Sequence, residues 1–446
     1  MDTTKKPSLA LHLALSFVFP FVILGALFAL NRVFPFGNKQ ILIHDLIDQY
    51  YPFLSEFWYK LRTGTVSPWS WTAGMGHDYV ALIAYYMATP LNLLTLLFPH
   101  EALREVLTFT LLIKIGCAGL FTGIYLRYAR KECGPKLPVF SSLYALCAFT
   151  LGYYHNIIWF DSFALLPLVA LGLLALMNEG KFRLYIVSLA LAVLANFYMG
   201  FIICVFVAIT FLCQCIMQKL NVRHFLRKLA SVAACSCLAI GMTAVLTIPA
   251  YMALQNTHRV ETMLITKLFV FKNFFDVMGN FIAFTPSTVF SGIPNLYCGM
   301  ISVMLTGLFF QSKEIAIRKK LILAGILVFL FISLNFNAPY MMMHGFRYPV
   351  GFPARFSFLI SFVLVVLAFR AFSLIENMNK RGFKRGFWAM AICALFFLLS
   401  GIFGCQENKY VISSAILCAV YIFLLYLLIN VKKSKGRNFV TVLFSF

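Results

Sequence analysis

The chain has 446 residues, 61% of them hydrophobic and only 12% charged, with a mean hydropathy of +0.87. A soluble globular chain carries roughly twice that share of charge, so a soluble enzyme, a disordered chain and a disulfide scaffold are all excluded. The net charge of +22 does not point to nucleic acid either. Its Lys and Arg sit in short clusters between apolar runs, as cytoplasmic loops of membrane proteins do. The expected fold is an all-α polytopic membrane protein.

A spanning helix needs about 20 mostly apolar residues. Twelve are expected, near 8–31, 106–128, 138–154, 162–177, 184–198, 199–217, 229–254, 296–312, 321–336, 356–375, 386–403 and 410–430. The fifth and sixth form one apolar tract broken around Asn196, Tyr198 and Gly200, which reads as a tight hairpin or as one long bent helix. No small-residue cleavage site follows the first span, which reads as an uncleaved helix. With the N-terminus inside, 24 of the 37 Lys and Arg fall in inner segments and 11 in outer ones. Acidic residues run the other way, 5 inside and 10 outside. Both termini are therefore expected on the cytoplasmic side of a cell membrane. Residues 1–430 form one multi-span domain, and 431–446 a cytoplasmic basic tail.

Inner loops are short and basic. Three outer loops are long, at 32–105, 255–295 and 337–355, and the outer segments together hold six of the eight His, namely His44, His77, His100, His155, His258 and His344. Long non-helical segments are costly to order and usually functional. Chemistry is expected on the outer face.

The first outer loop carries His44-Asp45-Leu46-Ile47-Asp48-Gln49-Tyr50-Tyr51. Asp45 and Asp48, three residues apart, share a face if the stretch is helical. Aromatics around them can exclude water, which suits a general base or a group holding a divalent metal. The alternative is a solvated loop helix whose acids meet Lys60 or Arg62. Trp69, Trp71, Gly74, Met75 and Gly76 make an aromatic turn, and Tyr85-Tyr86, Pro90 and Phe98-Pro99 read as an amphipathic segment lying along the interface.

Lys114 sits about eight residues inside the second span. An unpaired charge at that depth costs about 2.5–3.5 kcal/mol or more, so a cavity or a partner is expected beside it. Before the tenth span, His344, Arg347 and Arg355 bring two cations and an imidazole to a boundary otherwise poor in basic residues. They suit a lipid phosphate, or interfacial snorkelling. The 12 Cys lie mostly in apolar runs without a C-x-x-C pair and read as small packing residues; a bridge between Cys298 and Cys405 is not favoured.

Several runs resemble the YfhO family of bacterial membrane glycosyltransferases. They are Asp45-Leu46-x-x-Gln49-Tyr50, Tyr85-Tyr86-x-x-x-Pro90-x-Asn92-Leu93-Leu94 and Trp159-x-Asp161 ahead of Leu165-Leu166-Pro167. Further on come Gly292-x-Pro294-Asn295-x-Tyr297-Cys298-Gly299 and His344-Gly345 followed by Pro353-x-Arg355-Phe356-Ser357-Phe358. The resemblance implies a GT-C type bundle with a long first outer loop, using a polyprenyl-phosphate-linked sugar as donor. It implies a catalytic acid in that loop, a position that Asp45 occupies, with Asp48 second. Gln49, Tyr50, Tyr85, Tyr86, Lys114, His344, Arg347 and Arg355 are then the expected substrate-binding residues. The implied acceptor is a cell-envelope polymer such as teichoic acid, met in a lipid bilayer. Members usually continue into a large extracytoplasmic portion, which this chain is expected to lack. The rivals are a twelve-span transporter or lipid flippase, disfavoured by a first loop of about 70 residues and the lack of a repeat between halves, and a non-catalytic scaffold.

Overall fold

The computed structural model describes residues 9–130, 134–255, 270–375, 378 and 380–430. The basic tail expected at 431–446 and part of the second long loop, including His258, lie outside the described residues. Helix dominates; among the described residues the one sheet is a two-stranded antiparallel ribbon, Trp69–Ser70 against His77–Asp78. The expectation of an all-α polytopic fold holds.

Among the described residues, eight helices are long and apolar enough to cross a membrane, or nine if one bent pair counts as a span. Expected spans that fall outside this set do so for local reasons. The tract at 138–154 is two helices, Lys136–Ala145 and Ala148–Tyr153. The tracts at 184–198 and 296–312 contain helices of only 13 and 12 residues, Arg183–Ala195 and Met300–Gln311. At 1.5 Å per residue these reach roughly 20 Å, short of a hydrocarbon core of about 30 Å. Ile317–Asn335 opens with Arg318, Lys319 and Lys320. The tract at 229–254 divides at Thr243 into Val222–Met242, which is in the set, and Ala244–Gln255, which is too short. Hydropathy registers apolar residues and is blind to such breaks.

The chain forms two compact units. Of the described residues, one comprises those within 21–121 and 153–255, the other those within 9–20, 122–152 and 270–430. In the first, Phe160–Glu179 and Arg183–Ala195 form an antiparallel pair. Gly180 ends the former in the left-handed region (φ 72°), its N–H meeting the carbonyls of Ala175 and Leu176. At the other end Ser162 Oγ donates to the Ala192 carbonyl at 2.9 Å. Gly172 makes the approach possible, because a Cβ there would lie 2.5 Å from Tyr185 Cα. Gly172→Val should force the two backbones apart and cost about 1–3 kcal/mol, occasionally more. A thermal midpoint of the purified variant equal to wild type would contradict that close contact. Asn196 then breaks the apolar tract: its backbone is extended, its Oδ1 accepts from Met199 N, and the chain turns back as Phe197–Gln218, with Gly200 against Val193. The tract at 184–217 is a hairpin.

In the other unit, Met300–Gln311 packs against both Ser357–Ile375 and Lys380–Phe403. Gly307 allows this, since a Cβ there would lie 2.6 Å from the Ala389 carbonyl oxygen. Two asparagines brace its loops in the same way. Asn295 accepts from Thr288 N and donates to Thr288 O, while Asn335 accepts from Lys272 N and donates to Lys272 O. Cys298 is buried and Cys405 exposed, both as free thiols.

Candidate functional site

The first long loop opens on a left-handed residue. His44 has φ 49°, uncommon for a non-glycine residue, and Asp45 leads from it into a π-helical turn, Leu46–Tyr50, which runs on as the helix Tyr51–Thr63. Both features are costly locally and concentrate at functional sites. The wider π-turn separates the two acids: Asp45 is half-buried, whereas Asp48 is exposed. Lys60 is taken by Glu56 at 3.0 Å, in the same helix. Burial pushes the Glu56 carboxyl up, but the hydroxyls of Ser70 and Thr72 and the Lys60 ammonium outweigh it and leave the group below its usual range.

Aromatics wall the turn. Tyr86 lies 5.5 Å from Tyr50, 5.0 Å from Phe53 and 4.7 Å from Tyr85 between ring centroids, and its hydroxyl donates to Gln49 Oε1 at 2.8 Å. The Asp45 charge is close enough to act on the Tyr86 phenol. Tyr50 is buried and donates its hydroxyl to Asn156 Oδ1 at 2.8 Å. The Asn156 amide then faces His155 Nε2 at 3.0 Å. An amide NH2 only donates, so Nε2 accepts and the ring proton is on Nδ1. The His155 ring also lies 5.2 Å from that of His44.

Burial first, and His44 second, lower the His155 ring to about 4. An unfolded histidine titrates near 6.5, so the unfolded chain binds the proton more readily. The stability from this buried neutral ring is therefore complete above about pH 6.5 and is lost as pH falls toward 4. That is up to about 3 kcal/mol at 1.36 per pKa unit. His155→Gln should flatten part of the fall in thermal midpoint between pH 6.5 and 4; slopes identical to wild type would contradict the assignment.

The segment that carries His155 and Asn156 also receives Lys114. The ammonium, 2% exposed, donates to Asp161 Oδ2 at 2.6 Å and to the Ile157 carbonyl at 3.1 Å. Thr89 donates to the other Asp161 oxygen at 2.6 Å. The partner expected of Lys114 is thus a carboxylate of the protein, and its charge is compensated internally. Spacing missed this network. The available signal was a charge inside one span facing an acid, Asp161, at the start of the next.

His344, Arg347 and Arg355 belong to the other unit. His344 is buried; its Nδ1 donates to the Tyr340 carbonyl at 2.8 Å, and its ring lies 4.3 Å from Tyr340 and 5.3 Å from Phe356. Burial lowers it to about 3, the Tyr340 hydrogen bond opposing and Arg355 adding to the shift. It is neutral at physiological pH, which leaves the positive charge of this loop on Arg347 and Arg355. Arg347 is exposed. Arg355 donates to the carbonyls of Val350 and Gly351 at 3.2 and 3.4 Å. Phe346, Phe352 and Ala354 all have positive φ here, at 61°, 52° and 49°. Among the described residues no three His, Cys, Asp or Glu side chains group as metal ligands.

A family described as bacterial membrane protein YfhO matches residues 16–446. The chain belongs to the YfhO family. Neither the curated proteins nor the solved structures gave a match. With several apolar helices long enough to span among the described residues, and this family, the chain is a multi-pass membrane protein in contact with lipid.

Proposed function

We propose that this YfhO-family protein is a GT-C type glycosyltransferase. It moves a sugar from a polyprenyl-phosphate donor to a cell-envelope polymer, such as a teichoic acid, on the outer face of the membrane. The observation that carries the reading is Asp45. It is a half-buried carboxylate behind a left-handed His44, at the mouth of a π-turn walled by Tyr50, Phe53, Tyr85 and Tyr86. Such a group suits proton abstraction from an acceptor hydroxyl, with a wall that excludes water.

In this reading Asp45 takes the hydroxyl proton as the acceptor oxygen bonds to the anomeric carbon. The bond from that carbon to the phosphate oxygen breaks, and polyprenyl phosphate leaves with the electron pair. Attack opposite the phosphate inverts the anomeric centre. The exposed Trp69 and Trp71, with Tyr85 and Tyr86, offer faces for sugar or lipid.

A transporter is the second reading, favoured by the Lys114–Asp161 pair buried between helices, since intramembrane charges commonly mark ion or substrate paths. One experiment separates them. Envelope-polymer glycosylation is measured in cells lacking the gene, complemented with wild type or Asp45→Asn at matched expression. Loss of one sugar on deletion, restored by wild type alone, supports transfer at Asp45. Restoration by both removes Asp45 from the chemistry, and no change on deletion favours transport.

A further inference from the structure

Between the two-stranded ribbon and the long Leu103–Arg130 helix lie two short arms, Tyr79–Met87 and Pro90–Leu97, bent by 96° at a break of two residues. Such a pair is either one broken span or an element that enters and leaves on the same side. Its ends decide. At the entry, Lys60 Nζ sits 3.7 Å over the Tyr79 ring and donates to Trp69 O at 3.2 Å. At the exit, Trp58 Nε1 donates to Phe98 O at 3.1 Å, and Ser55 Oγ lies 2.6 Å from His100 Nε2. Ser55, Trp58 and Lys60 all belong to the helix Tyr51–Thr63. Five residues of helix separate them by only about 7–8 Å, whereas a span carries its two ends about 30 Å apart. Both ends therefore lie on one side, which fits a re-entrant element and not a span.

The apex of a re-entrant element exposes backbone and side-chain polar groups where water is scarce, so it needs partners supplied by protein. Here the apex is Thr89, 4% exposed. Its hydroxyl oxygen accepts from Leu91 N at 3.3 Å, starting the second arm, and its proton goes to Asp161. Asn92 reaches back across the bend to the Met87 carbonyl at 3.2 Å. Asn196 donates to the Tyr85 carbonyl at 3.0 Å, and Phe197 lies 5.4 Å from the Tyr85 ring. Charge makes the apex bond strong: a hydroxyl on an ionised carboxylate is held roughly twice as tightly as on a neutral acceptor. Lys114 sits against the other oxygen of that carboxylate at 2.6 Å.

We propose that Asp161 is a positioning residue. Paired with Lys114, it latches Thr89 at the apex of the re-entrant element and so fixes Tyr85 and Tyr86 against the Asp45 turn, without touching substrate. The kinetic part of this rests on the transfer reading above; the latch itself does not.

The test uses the full chain in membrane vesicles. Cysteines replacing Val66 and Phe98, before and after the element, should be labelled by an impermeant maleimide from the same side; labelling from opposite sides overturns re-entry. Ala88→Cys then reports on the apex, with labelling of the parent chain subtracted. Thr89→Val keeps the shape and loses the proton, so in the Ala88→Cys background the introduced thiol should label about tenfold faster, and Thr89→Ser should restore the slow rate. In transfer assays Thr89→Val should lower kcat about tenfold to a hundredfold, leave the donor KM within about twofold, and be rescued by Thr89→Ser. Labelling of the Ala88→Cys thiol unchanged by Thr89→Val overturns the latch. A loosened apex with kcat unchanged overturns the positioning role. Should wild type show no transfer, the transfer reading fails and the labelling rates alone judge the latch.

Discussion

Asp161→Asn should destabilise the protein by about 3–5 kcal/mol, the usual result of leaving one member of a buried ion pair without its partner. Lys114 is 2% exposed and its ammonium has two acceptors, the Ile157 carbonyl and Asp161; the Asn amide oxygen can still accept a hydrogen bond, but it carries no charge to compensate the ammonium. Lys114→Met strands the carboxylate in the same way, although Thr89 still donates to it. Removing both charges, as Lys114→Met with Asp161→Leu, should recover most of the loss, because paired burial itself contributes little net stability. The residual deficit should be about 1 kcal/mol, from the Thr89 hydroxyl left without its acceptor. Thermal midpoints of the four forms, purified in one detergent, check this. A double variant as unstable as the worse single one would mean that the two charges do not compensate each other.

Asp45→Asn should lower sugar transfer by about 10²–10⁴-fold, the range lost with a general base, while leaving the fold in place. Asp45 is only half-buried, at the edge of the π-turn, so a neutral isostere strands no buried charge. Asp48→Asn is the control with the same chemistry three residues on. Its side chain is exposed, and transfer should stay within about threefold of wild type. Initial rates at matched protein level, with donor and acceptor saturating, measure both. Equal losses in the two variants would point to the local charge of the loop, and a larger loss for Asp48→Asn would move the base to that residue.

The sequence pointed to His44–Tyr50 because acids beside aromatics after an apolar span are unusual in any chain. Spacing did not separate Asp45 from Asp48, which only the family resemblance ranked, since i and i+3 share a face only in an ordinary helix and this turn is wider. Tyr85 and Tyr86 read as interfacial for a similar reason. Their segment has the composition of a helix lying on the membrane, yet it bends by 96° and buries Thr89, Asn92 and Thr95. Polar residues at a buried apex look in sequence like residues of an exposed face. His344 read as a phosphate ligand beside two arginines, and only its burial against Tyr340 and Phe356 shows it to be neutral.

Composition alone determined that this is a helical membrane protein, because apolar content and sparse charge act residue by residue, and transfer into lipid is close to additive along a chain. Tertiary structure decided where the charges go. Lys114 finds Asp161 across 47 residues and Asp161 finds Thr89 across 72. Such pairings are set by which helices pack together, and that depends on close approaches such as Gly172 on Tyr185 and on breaks such as Asn196. A local hydropathy pattern carries no information about partners at that separation.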